Sequence, residues 1–112
     1  MKNTLRAISN HQYSNILDNI GKSDITHTIN FYLYKKLTQQ LGGVDSIITT
    51  QRDFLLKMGI EKRAEVITKN QNFSKKADIY YRLKKLIDVN EMGRIFKVML
   101  IKNQKNNYKL GF

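Results

Sequence analysis

The sequence predicts an α/β chain of about four helices and two or three strands. Three observations carry that expectation. Stretches rich in β-branched residues alternate with apolar stripes at helical spacing. Glycines close several of these stretches, while proline is absent from all 112 residues. The chain is 41% hydrophobic and 26% charged, enough apolar matter for one modest core.

Residues 4–8 (Thr-Leu-Arg-Ala-Ile) read as a short extended piece. Residues 9–24 are polar, contain the turn-like Asp18-Asn19-Ile20-Gly21, and read as a loop. Asp24 and Thr26 are the candidate N-caps of a helix running to Leu41, with Ile29, Leu33, Leu37 and Leu41 on one stripe and Gly42-Gly43 as its stop. Val44 to Thr50 reads as a strand. Thr50 then caps a short helix bearing Phe54, Leu55 and Met58 and closed by Gly59. Glu61 to Lys69 reads as a second short helix with Ala64 and Ile67 inward.

Ser74 is expected to cap a longer helix carrying Ile79, Leu83, Leu86 and Ile87 inward and Lys75, Lys76, Arg82, Lys84 and Lys85 outward. Arg94 to Lys102 reads as the last strand, and Asn103 to Lys109 as a polar, mobile tail. The last strand holds Ile95, Phe96, Val98, Met99, Leu100 and Ile101 in a nearly continuous apolar run. Such runs suit a strand covered on both faces and flanked on both edges. The chain offers too few neighbouring strands to do that. Left alone, such a strand exposes its edge.

The charge is formally +11, from 20 Lys+Arg against 9 Asp+Glu, and most of it lies beyond residue 56. Lysine dominates over arginine, whereas phosphate and guanine recognition favour the guanidinium fork. The basic face therefore reads as solvation, and a nucleic-acid role is not expected. Tyr32, Tyr34, Tyr80 and Tyr81 interleave with lysines but read as amphipathic residues at the border between the polar and apolar faces of helices. Gln51 to Lys69 has the outline of a helix-turn-helix, but Leu55 and Glu65 occupy positions where that motif needs a small and an apolar residue.

There is no cysteine, so no disulfide framework, thiol nucleophile or cysteine zinc site. His11 and His27 are too isolated for a metal centre, and no metal is expected. No apolar run approaches the ~20 residues of a membrane span. No signal peptide is evident at the start, and a reducing cytoplasm is the expected location. No nucleotide loop of the G-x-G-x-x-G or P-loop kind is present, and no residue is assigned a catalytic role.

One set of short motifs spans the chain. Thr4-Leu5-Arg6-Ala7 is followed by His11 and by Gly21-x-x-Asp24-Ile25-Thr26-x-x-Ile29-Asn30-Phe31. Then come Thr50-Gln51-x-x-Phe54-Leu55-x-x-Met58-Gly59-Ile60-x-x-Arg63, Met92-Gly93-x-x-Phe96-Lys97-Val98 and the terminal Gly111-Phe112. In order and spacing this resembles the C-terminal part of the MidA-type methyltransferases, the family of the mitochondrial complex I assembly factor. The family-motif positions are Arg6, His11, Asp24, Thr26, Thr50, Gln51, Met92, Gly93, Phe96 and Lys97. Two positions depart from the pattern. Asn30 stands where the family has Asp, and Arg52 where Gly follows Thr-Gln, a turn at which glycine's freedom is expected to matter.

The resemblance implies the C-terminal portion of a class I (Rossmann-like) methyltransferase fold, whose mostly parallel sheet binds S-adenosylmethionine. By that likeness residues 1–25 form a rim loop, 26–102 the helices and last strands, and 103–112 the tail. The family's glycine-rich cofactor loop lies upstream of the matched part. S-adenosylmethionine is thus implied for the full-length family only, and no cofactor is expected for this chain alone. The substrate implied is a protein, through arginine. The expected reading is a fragment from a split or decaying gene, inactive alone, with a separate N-terminal methyltransferase half as its possible partner. The alternative is a small basic domain that binds nucleic acid or protein.

Overall fold

The computed structural model describes residues 4–10, 12–18 and 20–112. The chain divides into two compact units, residues 1–30 and 31–112. The first holds a three-stranded antiparallel sheet of order β2-β1-β3, formed by β1 (Leu5–Ser9), β2 (Gln12–Ser14) and β3 (Asp24–His27). β1 is central: Ala7 faces Ser14 on one side and Ile25 on the other. Its small side chain is fully buried.

The extended reading of residues 4–8 agrees with β1, but two expectations here are corrected. The stretch 9–24 is not simply loop, since it contains β2. Asp24 and Thr26 are not helix caps: they lie in β3, opposite Ile8 and Arg6. The β-branched pair Ile25-Thr26 can complete a ladder with β1, and strand pairing wins over a local capping signal. His27 accordingly ends a strand and faces Leu5, rather than opening a helix.

The second unit begins with α1 (Phe31–Gln40), followed by β4 (Val44–Thr50), α2 (Gln51–Lys57), α3 (Ile60–Thr68), α4 (Phe73–Ile87), the single turn α5 (Met92–Ile95) and β5 (Lys97–Asn103). β4 and β5 form an antiparallel pair in register from Val44 opposite Asn103 to Thr50 opposite Lys97. α1 packs on this pair, and α2, α4 and α5 pack on one another. The buried Thr38 of α1 donates to Lys35 O at 2.8 Å and shares a 2.7 Å hydrogen bond with Ser46 of β4. Thr68, also buried, returns its hydroxyl to Ala64 O at 2.8 Å. Both hydroxyls are thus satisfied without water.

The caps explain the helix boundaries. Asn72, not Ser74, caps α4, accepting a hydrogen bond from Lys75 N at 2.9 Å. Asn offers the same short acceptor two residues earlier. Gly59 has φ 77°, and its N–H donates to Leu56 O at 2.9 Å, so it ends α2 and lets the chain re-enter α3 at once. The last strand starts at Lys97 rather than Arg94. Residues Met92–Ile95 coil into α5, closed by Phe96 N donating to Met92 O at 3.2 Å. Ile95 is therefore exposed and outside the ladder.

The tail is tied down more than its polarity suggested. Lys105 N bonds Asn103 Oδ1 at 2.9 Å, Tyr108 N bonds Asn106 Oδ1 at 2.8 Å, and Gly111 is buried.

The core is thin. Among the described residues, Ala7 and Ala64 are the buried apolar ones. Leu33, Leu37 and Leu41, expected inward on α1, are each close to half exposed, as are Met58 of the α2 stripe and Ile67 of α3. A folded 13.1 kDa chain exposes about 6,400 Å², or about 7,500 Å² if the two units are counted as separate bodies. This chain exposes 9380 Å².

Candidate functional site

The described motif positions fall into two groups. Arg6, Asp24 and Thr26 share the sheet of the first unit. Arg6 stands opposite Thr26; its Nη1 donates to the Tyr13 hydroxyl at 3.2 Å, and its guanidinium lies 5.5 Å from the Tyr13 ring centroid. These two residues, with Leu5, Ser14, Asn15 and Ile16, line an open cleft of about 510 Å³. His11 lies outside the described residues.

The second group is assembled where β4 passes into α2. Thr50 is the last residue of β4 and the N-cap of α2, in extended conformation. Its hydroxyl accepts from Asp53 N at 3.1 Å and donates to Asp53 Oδ2 at 2.6 Å. This reciprocal pairing satisfies a free amide of the first turn and places a carboxylate at the positive end of the helix. Gln51 N donates to Phe96 O at 3.0 Å, which ties the same junction to the start of β5.

Two side chains then reach across to α4. Gln51 Nε2 donates to Leu86 O at 2.9 Å, and Arg52 Nη1 to Ile87 O at 2.8 Å. Both carbonyls are at the C-terminal end of α4, where helical acceptors run out and positive charge is favoured. Gly93 is buried under the same end. Its N–H donates to Asp88 O at 3.0 Å, and an added Cβ would stand 2.4 Å from Ile87 O and 2.8 Å from Asp88 O. Lys97 Nζ donates to Arg94 O at 2.7 Å. Thr50, Gln51, Gly93, Phe96 and Lys97, separated by some forty residues in sequence, thus form one hydrogen-bonded knot around the end of α4.

The knot holds the backbone and leaves little chemistry over. The hydroxyl of Thr50, the amide of Gln51 and the ammonium of Lys97 are all engaged internally. Its one hydroxyl–carboxylate pair, Thr50 with Asp53, is engaged as the cap of α2. Among the described residues no group of three His, Asp or Glu is placed to hold a metal ion, and no described helix is long and apolar enough to cross a membrane.

Arg52 is corrected from its sequence reading. It lies in the first turn of α2, not at a position of positive φ, so no glycine is needed there. Its bulk and charge serve as a clamp on Ile87 O. Gly111 was given only as a motif end, yet it carries a packing role. At φ 82° it sits where an added Cβ would meet the Phe54 ring at 2.6 Å, and the adjoining Phe112 makes an edge-on contact with Phe54, 5.4 Å between centroids. On α4, Lys85 lies 5.0 Å from the Tyr81 ring centroid, and that tyrosine's hydrogen bond and charge hold the lysine's pKa above its usual value.

No family model matches the chain. A protein arginine methyltransferase of Danio rerio, NDUFAF7, mitochondrial, is 32% identical over 101 residues, covering 89% of this chain and 24% of that protein. This likeness supports the resemblance to the MidA-type methyltransferases. Two solved structures from Burkholderia thailandensis share the fold. One is an uncharacterized member of the COG1565 superfamily, with TM-score 0.78 and 24% identity, matched over 98% of this chain and 29% of that one. The other, of the same superfamily, was solved with S-adenosyl-homocysteine bound, with TM-score 0.74 and 23% identity over 98% of this chain and 28% of that one. The chain spans about a quarter of the length of these relatives, and its α/β architecture is part of a methyltransferase fold.

Proposed function

We propose that this chain is the C-terminal portion of an S-adenosylmethionine-dependent protein methyltransferase and does not transfer methyl groups by itself. The observation that carries the reading is the match of nearly the whole chain to about a quarter of its relatives, joined to a surface far larger than a finished fold of this mass exposes. In the complete fold the remainder would supply the cofactor loop. This portion would supply the sheet edge, the knot that fixes it, and the Arg6–Tyr13 cleft at the rim. Methyl transfer itself would be driven by alignment of the sulfonium methyl with a substrate nitrogen. The substrate in this reading is protein, through arginine, as in the named function of the zebrafish relative.

The test joins this chain to the part of the Burkholderia thailandensis S-adenosyl-homocysteine-bound protein that it does not match. The chimera is expected to melt cooperatively and to bind S-adenosyl-homocysteine. The isolated chain is expected to do neither. An isolated chain that is a monodisperse monomer with a sharp transition above about 55 °C overturns the reading in favour of an autonomous basic binding domain.

A further inference from the structure

We propose that the cleft at Arg6 and Tyr13 binds a carboxylate, supplied by an acidic side chain of the protein substrate. The inference rests on the reading above, and adds what the substrate carries besides its methyl-accepting nitrogen.

The register gathers the residues. Ile8 faces Tyr13 on one side and Asp24 on the other, and Arg6 faces Thr26. Cross-strand partners share a face of a sheet, as do alternate residues of one strand. Arg6, Ile8, Tyr13, Asp24 and Thr26 therefore stand on one face of the small sheet, and Leu5, Ala7 and Ile25 on the other. Arg6 and Tyr13 are diagonal neighbours, near enough for the guanidinium to lie 5.5 Å from the ring centroid and for Nη1 to donate to the hydroxyl at 3.2 Å.

This pair leaves donors unspent. A guanidinium donates from each of its nitrogens, and the bond to Tyr13 engages Nη1. The Tyr13 hydroxyl accepts that bond and keeps its own proton to donate. Ser14 and Asn15 also line the cleft, and the buried Ser14 Oγ has no hydrogen-bond partner. Among the described residues no carboxylate forms an ion pair with Arg6. Asp24 lies beyond Ile8 and does not line the cleft. Donors and a positive charge without an internal counter-charge suit an anion that accepts hydrogen bonds.

Charge and shape narrow the occupant. Arg6 is the one cation of the lining, so the charge it matches is single. Phosphate carries more charge and is commonly held at helix N-termini or backbone nests. The lining residues come instead from β1, β2 and the residues just after β2. A planar guanidinium fork matches a planar carboxylate. Leu5 and Ile16 on the walls suit the methylene stem of a glutamate, and Tyr13, 72% exposed, leaves the mouth open to a macromolecule. Stacked on the ring, the guanidinium is placed before the ligand arrives, which lowers the ordering cost of binding.

The experiment uses the Burkholderia chimera. Fluorescence anisotropy measures the affinity of short blocked arginine peptides carrying one glutamate at each flanking position in turn, against the same peptides with glutamine. The inference expects a position at which glutamate binds about tenfold tighter than glutamine. Arg6→Gln is expected to bring that ratio to about one. Tyr13→Phe, which keeps the ring and loses the hydroxyl, should lower it at least about twofold. The ratio is taken within one protein, so a general loss of folding does not imitate the effect. Calorimetric titration with S-adenosyl-homocysteine on the same samples separates the remaining outcomes. Binding of S-adenosyl-homocysteine with no glutamate preference at any position overturns the subsite and leaves the methyltransferase reading standing. An Arg6→Gln chimera that keeps the glutamate preference also overturns the subsite. No glutamate preference in the parent, with S-adenosyl-homocysteine affinity lost in Arg6→Gln, assigns the carboxylate to the cofactor and overturns the substrate as its source. A chimera that binds no S-adenosyl-homocysteine overturns both the reading and the inference.

Discussion

Gly93→Ala is the sharpest test of the knot around α4. Gly93 is buried, and a methyl group there would lie 2.4 Å from Ile87 O, 2.6 Å from Ile87 C and 2.8 Å from Asp88 O. All three neighbours are backbone atoms, so no side chain can swing aside. The turn from Ile87 to Met92 must open, which strains the Gly93 N–H bond to Asp88 O and the Arg52 bond to Ile87 O. Overpacking of this kind costs about 1–3 kcal/mol, and weakening a hydrogen bond adds about 0.5–1.5 kcal/mol. In the chimera, several times larger than this chain, a loss of about 2–3 kcal/mol lowers the melting temperature by roughly 4–12 °C. The assay is thermal and urea denaturation of the Burkholderia chimera, where a cooperative transition is expected. Gly42→Ala is the control: nothing lies within 4 Å of its added methyl and its φ is not positive, so it is expected to be neutral or slightly stabilising. If Gly93→Ala melts within about 2 °C of the parent, the close approach is not what holds this turn and the reasoning fails.

Other outcomes follow from the same geometry and are read in the same background. Arg52→Gly, which restores the residue the family pattern carries, is expected to destabilise by about 2 kcal/mol, through a lost charged hydrogen bond and a glycine in a helix; a stabilised variant would show that the clamp on Ile87 O is idle. Thr50→Ala removes the cap of α2 and should cost about 1 kcal/mol in urea unfolding, whereas Ser74→Ala, no longer a cap, should stay within about 0.5 kcal/mol. Gly111→Ala combines a positive φ with a clash against Phe54 and should cost about 1–3 kcal/mol, checked by the same melts. The isolated chain is expected to self-associate through open sheet edges, which sedimentation velocity would show as a spread of species.

How much could be read from the sequence depended on the range of the interactions. α2, α3 and α4 were legible because caps and apolar stripes act within a few residues, as Thr50–Asp53 and Gly59 illustrate. β4 was legible from its β-branched residues. The small sheet of residues 1–30 was not, because Gln12–Ser14 and Asp24–His27 are short and polar, and only pairing with β1 makes them strands. The start of β5 was misplaced because Met92–Ile95 satisfies its backbone by coiling under α4, an option set by contact with Ile87 and Asp88 rather than by its apolar run.

For the site, the order of motifs pointed to the family. It did not say that Gln51 and Arg52 would hold carbonyls 35 residues away. Nothing local in Thr-Gln-Arg announces a partner at that separation. The exposure of Leu33, Leu37 and Leu41 was foreshadowed in a different way. The sequence supplied apolar stripes in excess of the elements available to cover them, and the structure leaves those stripes open.

The central claim is that this chain carries the edge of a methyltransferase fold without the means to hold its cofactor. Calorimetric titration of the isolated chain with S-adenosylmethionine tests it most directly. The account predicts no binding heat up to about millimolar cofactor, because no glycine-rich loop lets the backbone approach the ligand. A saturable isotherm with a Kd of about a few micromolar would contradict it.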